Sequence, residues 1–363
     1  MIKPFSFITL ISSYLIGVSN AESSAIIKTN QIPKGATTEI WSPLFQASWD
    51  KFNARRQGEL VKVKPENKVM SALDQFKWKE AKVMPEGGYA IFAGPATPEF
   101  ATEVRNQVFK QFRYNMAINQ LPHSERGEAL YGVLVRDLSF QKQFFRSRKR
   151  PLAFTDPTGK NHRVAFFGTA GALSNHYGRK VRVLNYHHEK KSFILSIATD
   201  HTDEHLIVYR PETPISFDTA IAHINKAKKS PLTGDIGSLT EGYLHKNDTV
   251  KIPYLNIDVR TDFTDQLQGL RYYSKEPAPW TITKAIQITR FELFEKGARV
   301  RVETHTQGDP FGGEPSKPQK ITYIPRQFIC DQPFFVFIWK DKAALPYFGA
   351  WAGSGDILRT FKK

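Results

Sequence analysis

The sequence predicts an α+β fold, and three observations carry that reading. Apolar runs of strand character are spread over most of the chain, helical periodicity occurs at only a few separated places, and the two never alternate as in a wound βαβ protein. The 363 residues, 40% hydrophobic and 13% aromatic, are those of a globular chain with a full core. Nothing repeats at a fixed period and no long linker divides the chain, so one domain is expected over residues 22–363.

Residues 1–21 stand apart from that domain. Lys3 gives a positive start, Phe5 to Val18 is apolar with few interruptions, and Ser19-Asn20-Ala21 offers small residues where a signal peptidase reads. The expectation is a signal peptide cleaved after Ala21, and a mature protein secreted to an extracellular or periplasmic space. The apolar stretch is short for a bilayer span, so no membrane span is expected after cleavage. Cys330 is the only cysteine, which excludes an intramolecular disulfide, and its apolar surroundings suit an inert core thiol.

Asn30 to Thr38 reads as an exposed lead-in. A helix is expected within Glu39 to Trp49, with Ser42 as N-cap and Pro43 at the first helical position, where a missing N–H costs nothing. Gly87 to Ala93 reads as a strand. Pro98 to Phe112 carries Phe100, Val104, Val108 and Phe112 at helical spacing, so an amphipathic helix is expected. Leu130 to Phe140 reads as a buried strand, followed by a β-rich middle at Val164 to Phe167, Val181 to Tyr186, Phe193 to Ala198 and Leu206 to Tyr209. Ser216 to Lys228 is a short helix whose basic end suits the helix dipole. Thr249 to Val259, Thr281 to Phe294 and Phe328 to Trp339 complete a strand-rich C-terminal half. Within the last of these, Phe334 to Ile338 is too apolar for an exposed strand and predicts burial on both faces. Leu345 to Trp351 is its expected hairpin partner.

The order of residue types in Phe328-Ile329-Cys330-Asp331-Gln332-Pro333-Phe334-Phe335-Val336-Phe337-Ile338 resembles the C-terminal signature of the serpin family, the serine protease inhibitor fold. Tyr347-Phe348-Gly349 is similar to the strand that follows it there. The resemblance extends unevenly over residues 39–354. Trp41-Ser42-Pro43-Leu44 resembles the start of an early buried helix. Leu134 to Phe144 resembles a central strand of the large sheet, with Arg136 where the family usually has Asn and Phe144 where it has Trp. Ala285 to Gly297 resembles the strand from which the reactive loop leaves, with Glu292, Glu295 and Gly297 in matching positions. Lys296 departs there, as does Gln287-Ile288, which stands for the family's His-Lys. The resemblance implies a large mixed β-sheet with smaller sheets and surrounding helices. The fifteen or so residues between Asn115 and Leu130 leave little room for the strand and helix that serpins place across that sheet. That helix is expected to be shortened or absent.

No nucleophile elbow, phosphate-binding glycine loop or paired cysteine ligands occur, so neither an enzyme nor a cofactor is expected. His187-His188-Glu189 and Asp200 to His205 fall where turns are expected, and a solvated turn is favoured over a metal site. The net charge of +16 predicts attraction to polyanions, and the run holding Arg146, Arg148, Lys149 and Arg150 is the candidate contact. A second basic run ends the helix at Lys226 to Lys229. Either run could equally be solvated surface.

The functional candidate is the segment from about 298 to 327. Ala298, Val300, Val302 and Thr304 alternate with Arg299, Arg301, Glu303 and His305, the period of a half-buried strand, and residues 307–318 are rich in turn formers. A strand followed by a long hairpin loop accounts for that pattern without any special role. What the resemblance implies is a reactive loop with its hinge at Glu295, Gly297, Ala298, Val300, Val302 and Thr304. A protease would cut it, and its first part would then join the main sheet. The family's usual spacing puts the scissile bond at Phe311-Gly312, although this loop is about ten residues longer than usual. Expected partners are a serine-type protease and a polyanion, and a monomer is expected. The alternatives are a non-inhibitory serpin-like protein that binds a ligand or partner, and a polyanion-binding surface protein.

Overall fold

A computed structural model of the chain describes residues 21–23, 31–55, 62–64, 67–113, 115–116, 127–169, 171–230, 242–262, 267, 271–273, 280–300 and 324–362. The expected signal peptide therefore lies almost wholly outside the described residues. Strand β1 (Ala21–Ser23) begins at the expected cleavage point and pairs in parallel with β2 (Thr38–Trp41). Helix α1 (Leu44–Arg55) follows, then β3 (Lys62–Lys64), α2 (Lys68–Gln75), the short α3 (Glu80–Val83), β4 (Tyr89–Pro95) and α4 (Pro98–Phe112). Next come β5 (Gly127–Leu134), β6 (Arg136–Ser139), β7 (Phe145–Arg146), β8 (Leu152–Thr155), β9 (Asn161–Val164) and β10 (Phe166–Gly168). The β-rich middle is β11 (Val181–His187), β12 (Ser192–Ala198) and β13 (Glu204–Arg210), closed by α5 (Phe217–Lys229). The C-terminal part holds β14 (Thr249–Pro253), β15 (Leu255–Asp262), β16 (Arg271–Tyr273), β17 (Trp280–Phe294), β18 (Gly297–Val300), β19 (Gln327–Ile329), β20 (Phe334–Lys340) and β21 (Phe348–Ala352).

Residues 39–41 form a strand just ahead of the expected cap, and Ser42 Oγ accepts from the Leu44 N–H at 3.2 Å. Four strand readings need correction. Val164 to Phe167 is parted at Ala165 between two strands of different sheets. Leu130 to Phe140 is two strands, parted at Val135, whose N–H donates to the Gly88 carbonyl at 2.8 Å. Thr249 to Val259 is also two strands, parted at Tyr254, and they belong to different sheets. Phe328 to Trp339 divides likewise, because the Cys330-Asp331-Gln332-Pro333 turn carries the chain from one sheet to another.

Two large sheets pack on one another. The front sheet has eight strands in the order β3-β16-β17-β18-β6, with β15 on the other edge of β17 and with β5 lying between β17 and β4. The back sheet has seven, ordered β1-β2-β21-β20-β13-β12-β11. Phe291 of the front sheet stacks on Phe348 of the back sheet at 4.5 Å between ring centroids. Phe334 to Trp339 are all buried, and the alternation of a strand shows how. Phe335 and Phe337 meet Phe217 of α5 at 5.1 and 6.0 Å, while Phe334 meets Phe154 on the opposite side. A four-stranded sheet, β19-β14-β10-β7, and the β8–β9 hairpin complete the architecture.

The two faces of β5 are covered by different helices. Leu130 belongs to the cluster of Phe45, Trp49 and Phe52 from α1. Ala129, Tyr131 and Val133 belong to the cluster of Ala101, Val104, Val108 and Phe112 from α4. Most of the interval expected to lack a crossing helix, residues 117–126, lies outside the described residues, and α4 itself supplies a cover on that face of the sheet.

Candidate functional site

The site is built where the front sheet forks. β17 reaches Phe294, turns through Glu295 and Lys296, and returns as β18. On one side β18 pairs antiparallel with β17 (Phe294 with Gly297, Leu293 with Ala298, Glu292 with Arg299). On the other it pairs antiparallel with β6 (Gly297 with Ser139, Ala298 with Leu138, Arg299 with Asp137, Val300 with Arg136). Beyond the fork no strand intervenes, and β5 lies directly against β17 in parallel, from Gly127 opposite Thr281 to Val133 opposite Ile288. Strand β18 is thus already wedged at the open end of a parallel pair.

Each contact in the wedge has a local cause. At Gly297 a Cβ would stand 1.9 Å from the Leu138 carbonyl oxygen, so glycine is required by close approach. Ala298 is buried between Leu138 and Leu293, both buried themselves. Arg299 faces outward, with Nε 3.4 Å from Asp137 Oδ1 and its guanidinium 5.3 Å from the Phe294 ring. The turn is fixed by two backbone bonds: Phe140 N–H donates to the Lys296 carbonyl at 2.7 Å, and Phe144 N–H to the Glu295 carbonyl at 2.9 Å. Phe144, where the family usually has Trp, stacks on Tyr177 at 4.7 Å and meets Phe140 and Phe167 at 5.4 and 5.6 Å. Glu295 accepts from the Tyr254 hydroxyl at 2.7 Å. Burial, then the Glu295 carboxylate, push the Tyr254 pKa upward, so that hydroxyl stays a donor.

Arg136 marks the fork itself. It sits opposite Val300, the last residue of β18, and its side chain turns inward to the back sheet. There it makes a two-pronged contact with Glu204: Nε donates at 3.0 Å, and a terminal nitrogen binds the other carboxylate oxygen. Tyr347 donates its hydroxyl to the same carboxylate at 2.5 Å. Glu204 and Tyr347 are buried, and burial with the Glu204 charge drives the Tyr347 pKa well up. Burial alone would lower the Arg136 pKa, but its contacts with Glu204 and Tyr347 raise it on balance, so the guanidinium stays charged.

The far end of the candidate loop is anchored by a second buried ion pair. Arg326 donates to Asp248 Oδ2 from Nε at 3.1 Å and from a terminal nitrogen at 2.7 Å, and its backbone N–H donates to Oδ1 at 2.9 Å. Only 2% of Arg326 and none of Asp248 is exposed. The next residues pair in parallel with β14, beginning with Gln327 opposite Thr249.

Of the expected hinge residues, the structure brings Glu295, Gly297 and Ala298 to the fork, together with the backbone of Val300. Val302, Thr304, Phe311 and Gly312 lie outside the described residues, as does all of 301–323. Arg146, Arg148, Lys149 and Arg150 are exposed on β7 and the turn after it. Among the described residues no group of three or more His, Cys, Asp or Glu could hold a metal. His188 contacts the Tyr186 hydroxyl, and His205 pairs with Asp341. Cys330 is buried, and burial pushes its thiol pKa up. Among the described residues no helix is long and apolar enough to cross a membrane. Sequence reasoning missed Glu204, Tyr347, Asp248, Arg326 and Tyr254. Arg136 alone left a signal, as a departure from the family pattern.

No protein-family model matches the sequence, and no curated protein matches it. Solved structures do. Thyroxine-binding globulin in complex with thyroxine superposes with a TM-score of 0.52 at 10% identity, covering 87% of this chain and 92% of that one. Native protease nexin-1 with heparin gives 0.52 at 11% identity, covering 86% and 91%. Serpin48, a highly specific serpin of the insect Tenebrio molitor, gives 0.49 at 15% identity, covering 89% and 92%. At such identities the likeness shows the fold alone, and that fold is the serpin fold in a divergent form.

Proposed function

We propose that this chain is an exported inhibitor of serine proteases, in which the segment from about 298 to 327 is bait and its proximal part inserts into the front sheet after cleavage. The observation that supports this most is the placement of β18 between β6 and β17, at the head of the parallel β5–β17 pair. Continuing both registers of β18 would set Val302 between Leu134 and Thr289, and Thr304 between Gly132 and Gln287. Those flanking residues precede Arg136 and Phe291 along their own strands, so the growing strand would meet β5 and β17 without either having to slide.

The exchange is favourable on physical grounds. One parallel ladder is given up and two antiparallel ladders form, and antiparallel pairing is slightly the more stable per residue. Inward positions would take Val300, Val302, Thr304 and Thr306, small or β-branched residues suited to a sheet. Outward positions would take charges, for which Arg299 beside Asp137 is the precedent. Cleavage at Phe311 would leave that residue's carbonyl as an ester on the protease serine and free the Gly312 amine. Arg326 would hold the distal stub in place, while the inserting strand would carry the acylated protease away from it. The protein supplies no catalysis of its own in this scheme.

The test is incubation of the mature protein with a panel of serine proteases, read on denaturing gels. A stable covalent adduct with at least one protease is expected, with a distal fragment beginning at Gly312. Cleavage in the loop with no adduct from any protease overturns inhibition and leaves the non-inhibitory, ligand-binding reading. N-terminal sequencing of the secreted protein tests export, with Glu22 expected as the first residue.

A further inference from the structure

Three of the five large apolar side chains exposed among the described residues border the end of the fold to which the candidate loop returns. Ile324 stands two residues before Arg326, whose guanidinium donates to the Tyr243 carbonyl, and Phe145 lies on β7, across the four-stranded sheet from β19. The other two, Ile32 and Phe109, belong to the lead-in to β2 and to α4. The sheet's register sets a face between them. Ile329 of β19 is opposite Lys251 of β14, Lys251 is opposite Gly168 of β10, and Gly168 is opposite Phe145. Paired residues share a side of a sheet and alternate residues return to it, which adds Phe166. The reverse side, made by Phe328, Val250, Ile252 and Phe167, is fully buried. The open side is not: Phe145 is 39% exposed, and Ile329, Lys251 and Phe166 are half-buried.

Lys251 is the cation of this side, its Nζ 5.7 Å from the Phe166 ring. No Asp or Glu occurs in residues 145–147, 166–169, 249–253 or 327–329. The acids that border the sheet are engaged elsewhere: Asp248 by Arg326, Glu295 by the Tyr254 hydroxyl, and Asp331 by Arg210 at 3.2 Å. Exposed apolar area with a cation and no acid fits a partner surface that is apolar at its centre and acidic at its rim. A second copy of this chain, itself carrying a net charge of +16, is the wrong complement. The place of the sheet names the right one. Arg326 ties the end of the proposed bait to β19, so whatever seizes the bait is brought against the sheet that β19 begins.

We propose that the open side of this four-stranded sheet is a docking surface for the attacking protease, separate from the bait, and that it favours serine proteases whose substrate cleft is rimmed by carboxylates. It rests on the reading of residues 301–323 as bait. The test follows the rate at which the loop of the mature protein is cut by proteases with acid-rimmed and with base-rimmed clefts, and scores covalent adduct separately. Each rate is taken relative to that enzyme's rate on a synthetic peptide of residues 301–323, and the ratio should be larger for the acid-rimmed enzymes. The F145S/K251S pair should lower their ratio about tenfold and weaken its dependence on salt. The F109S/K110S pair removes one exposed ring and one exposed cation from α4 and should stay within about twofold of the parent. In the unsubstituted protein, the inactive Ser→Ala form of an acid-rimmed protease should shield Lys251 from acetylation, read by mass spectrometry. Equal slowing by both pairs overturns the surface, as do parental rates in F145S/K251S, Lys251 acetylation unchanged by the inactive protease, or no preference for an acidic rim. Cutting without adduct overturns inhibition alone, since the rates still score the surface. An adduct formed as fast by F145S/K251S as by the parent overturns the surface alone, and a loop that no protease cuts overturns both.

Discussion

A methyl group added at Gly297 would meet the Leu138 carbonyl oxygen at 1.9 Å, and the Leu138 carbonyl carbon and Ser139 Cα at 2.9 Å. These are backbone atoms, which cannot swing aside as a side-chain tip can. Gly297→Ala must therefore drive β18 away from β6 or distort both strands. The four opposed residues there correspond to about four ladder bonds, at roughly 0.5–1.5 kcal/mol net each. Uncovering the Ala298 methyl adds about 0.8 kcal/mol. A loss of about 3–7 kcal/mol is the expected total if the wedge opens fully, and about 1–3 kcal/mol if the strands only strain. Urea unfolding with amide hydrogen exchange reads both quantities. The expected outcome is a lower midpoint with unchanged slope, and fast exchange at residues 298–300. A stability within about 0.5 kcal/mol of the parent, together with retained protection, would refute the geometry argued for the hinge.

Four further substitutions have defined outcomes in thermal or denaturant unfolding. Arg326→Met removes the charged partner of the buried Asp248 and should cost about 3–5 kcal/mol, whereas a loss below about 1 kcal/mol would mean the anchor is slack. Phe334→Ala and Phe335→Ala should each cost about 3–5 kcal/mol, because both rings are fully buried on opposite faces of β20. Burial alone would raise the Asp156 pKa, but the His162 ring, the Thr158 hydroxyl and the Thr158 and Lys160 amides hold it down at about 2. That depressed value is a stabilising contribution, present above the ordinary carboxylate pKa of about 4 and lost as pH falls toward about 2. Asp156→Asn should remove that limb of the acid-stability curve, and an unchanged curve would contradict the assignment.

Local patterns were legible wherever one segment carries its own signal. Helix α4 has the limits its apolar spacing predicts, and Thr97 caps it by accepting from Phe100 N–H. Helix α5 lies within a residue of the expected span, with Ser216, read as its first residue, serving as its cap. The apolar run at 334–340 and its partner at 348–352 pair as the predicted hairpin. Readings failed where a single apolar stretch serves two sheets. A short turn ahead of Pro333 is legible, but composition cannot show that it carries the chain to another sheet, because Phe328 and Phe334 look alike as core residues. The ion pairs of the site were illegible for another reason. Arg136 and Glu204 are 68 residues apart and Arg326 and Asp248 are 78 apart, and each residue alone resembles ordinary surface charge. Only the fold that buries them makes their partners necessary.

The central claim is that the hinge strand at the fork grows after cleavage, and one comparison tests it most directly. The mature protein is cut once in the loop, at Phe311 if the protease allows, and the melting temperatures of cut and intact chains are measured side by side. Growth of β18 between β5 and β17 adds two ladders at the cost of one, so the cut chain should melt at a markedly higher temperature. A clean cut in the loop with identical melting of the two forms would contradict insertion.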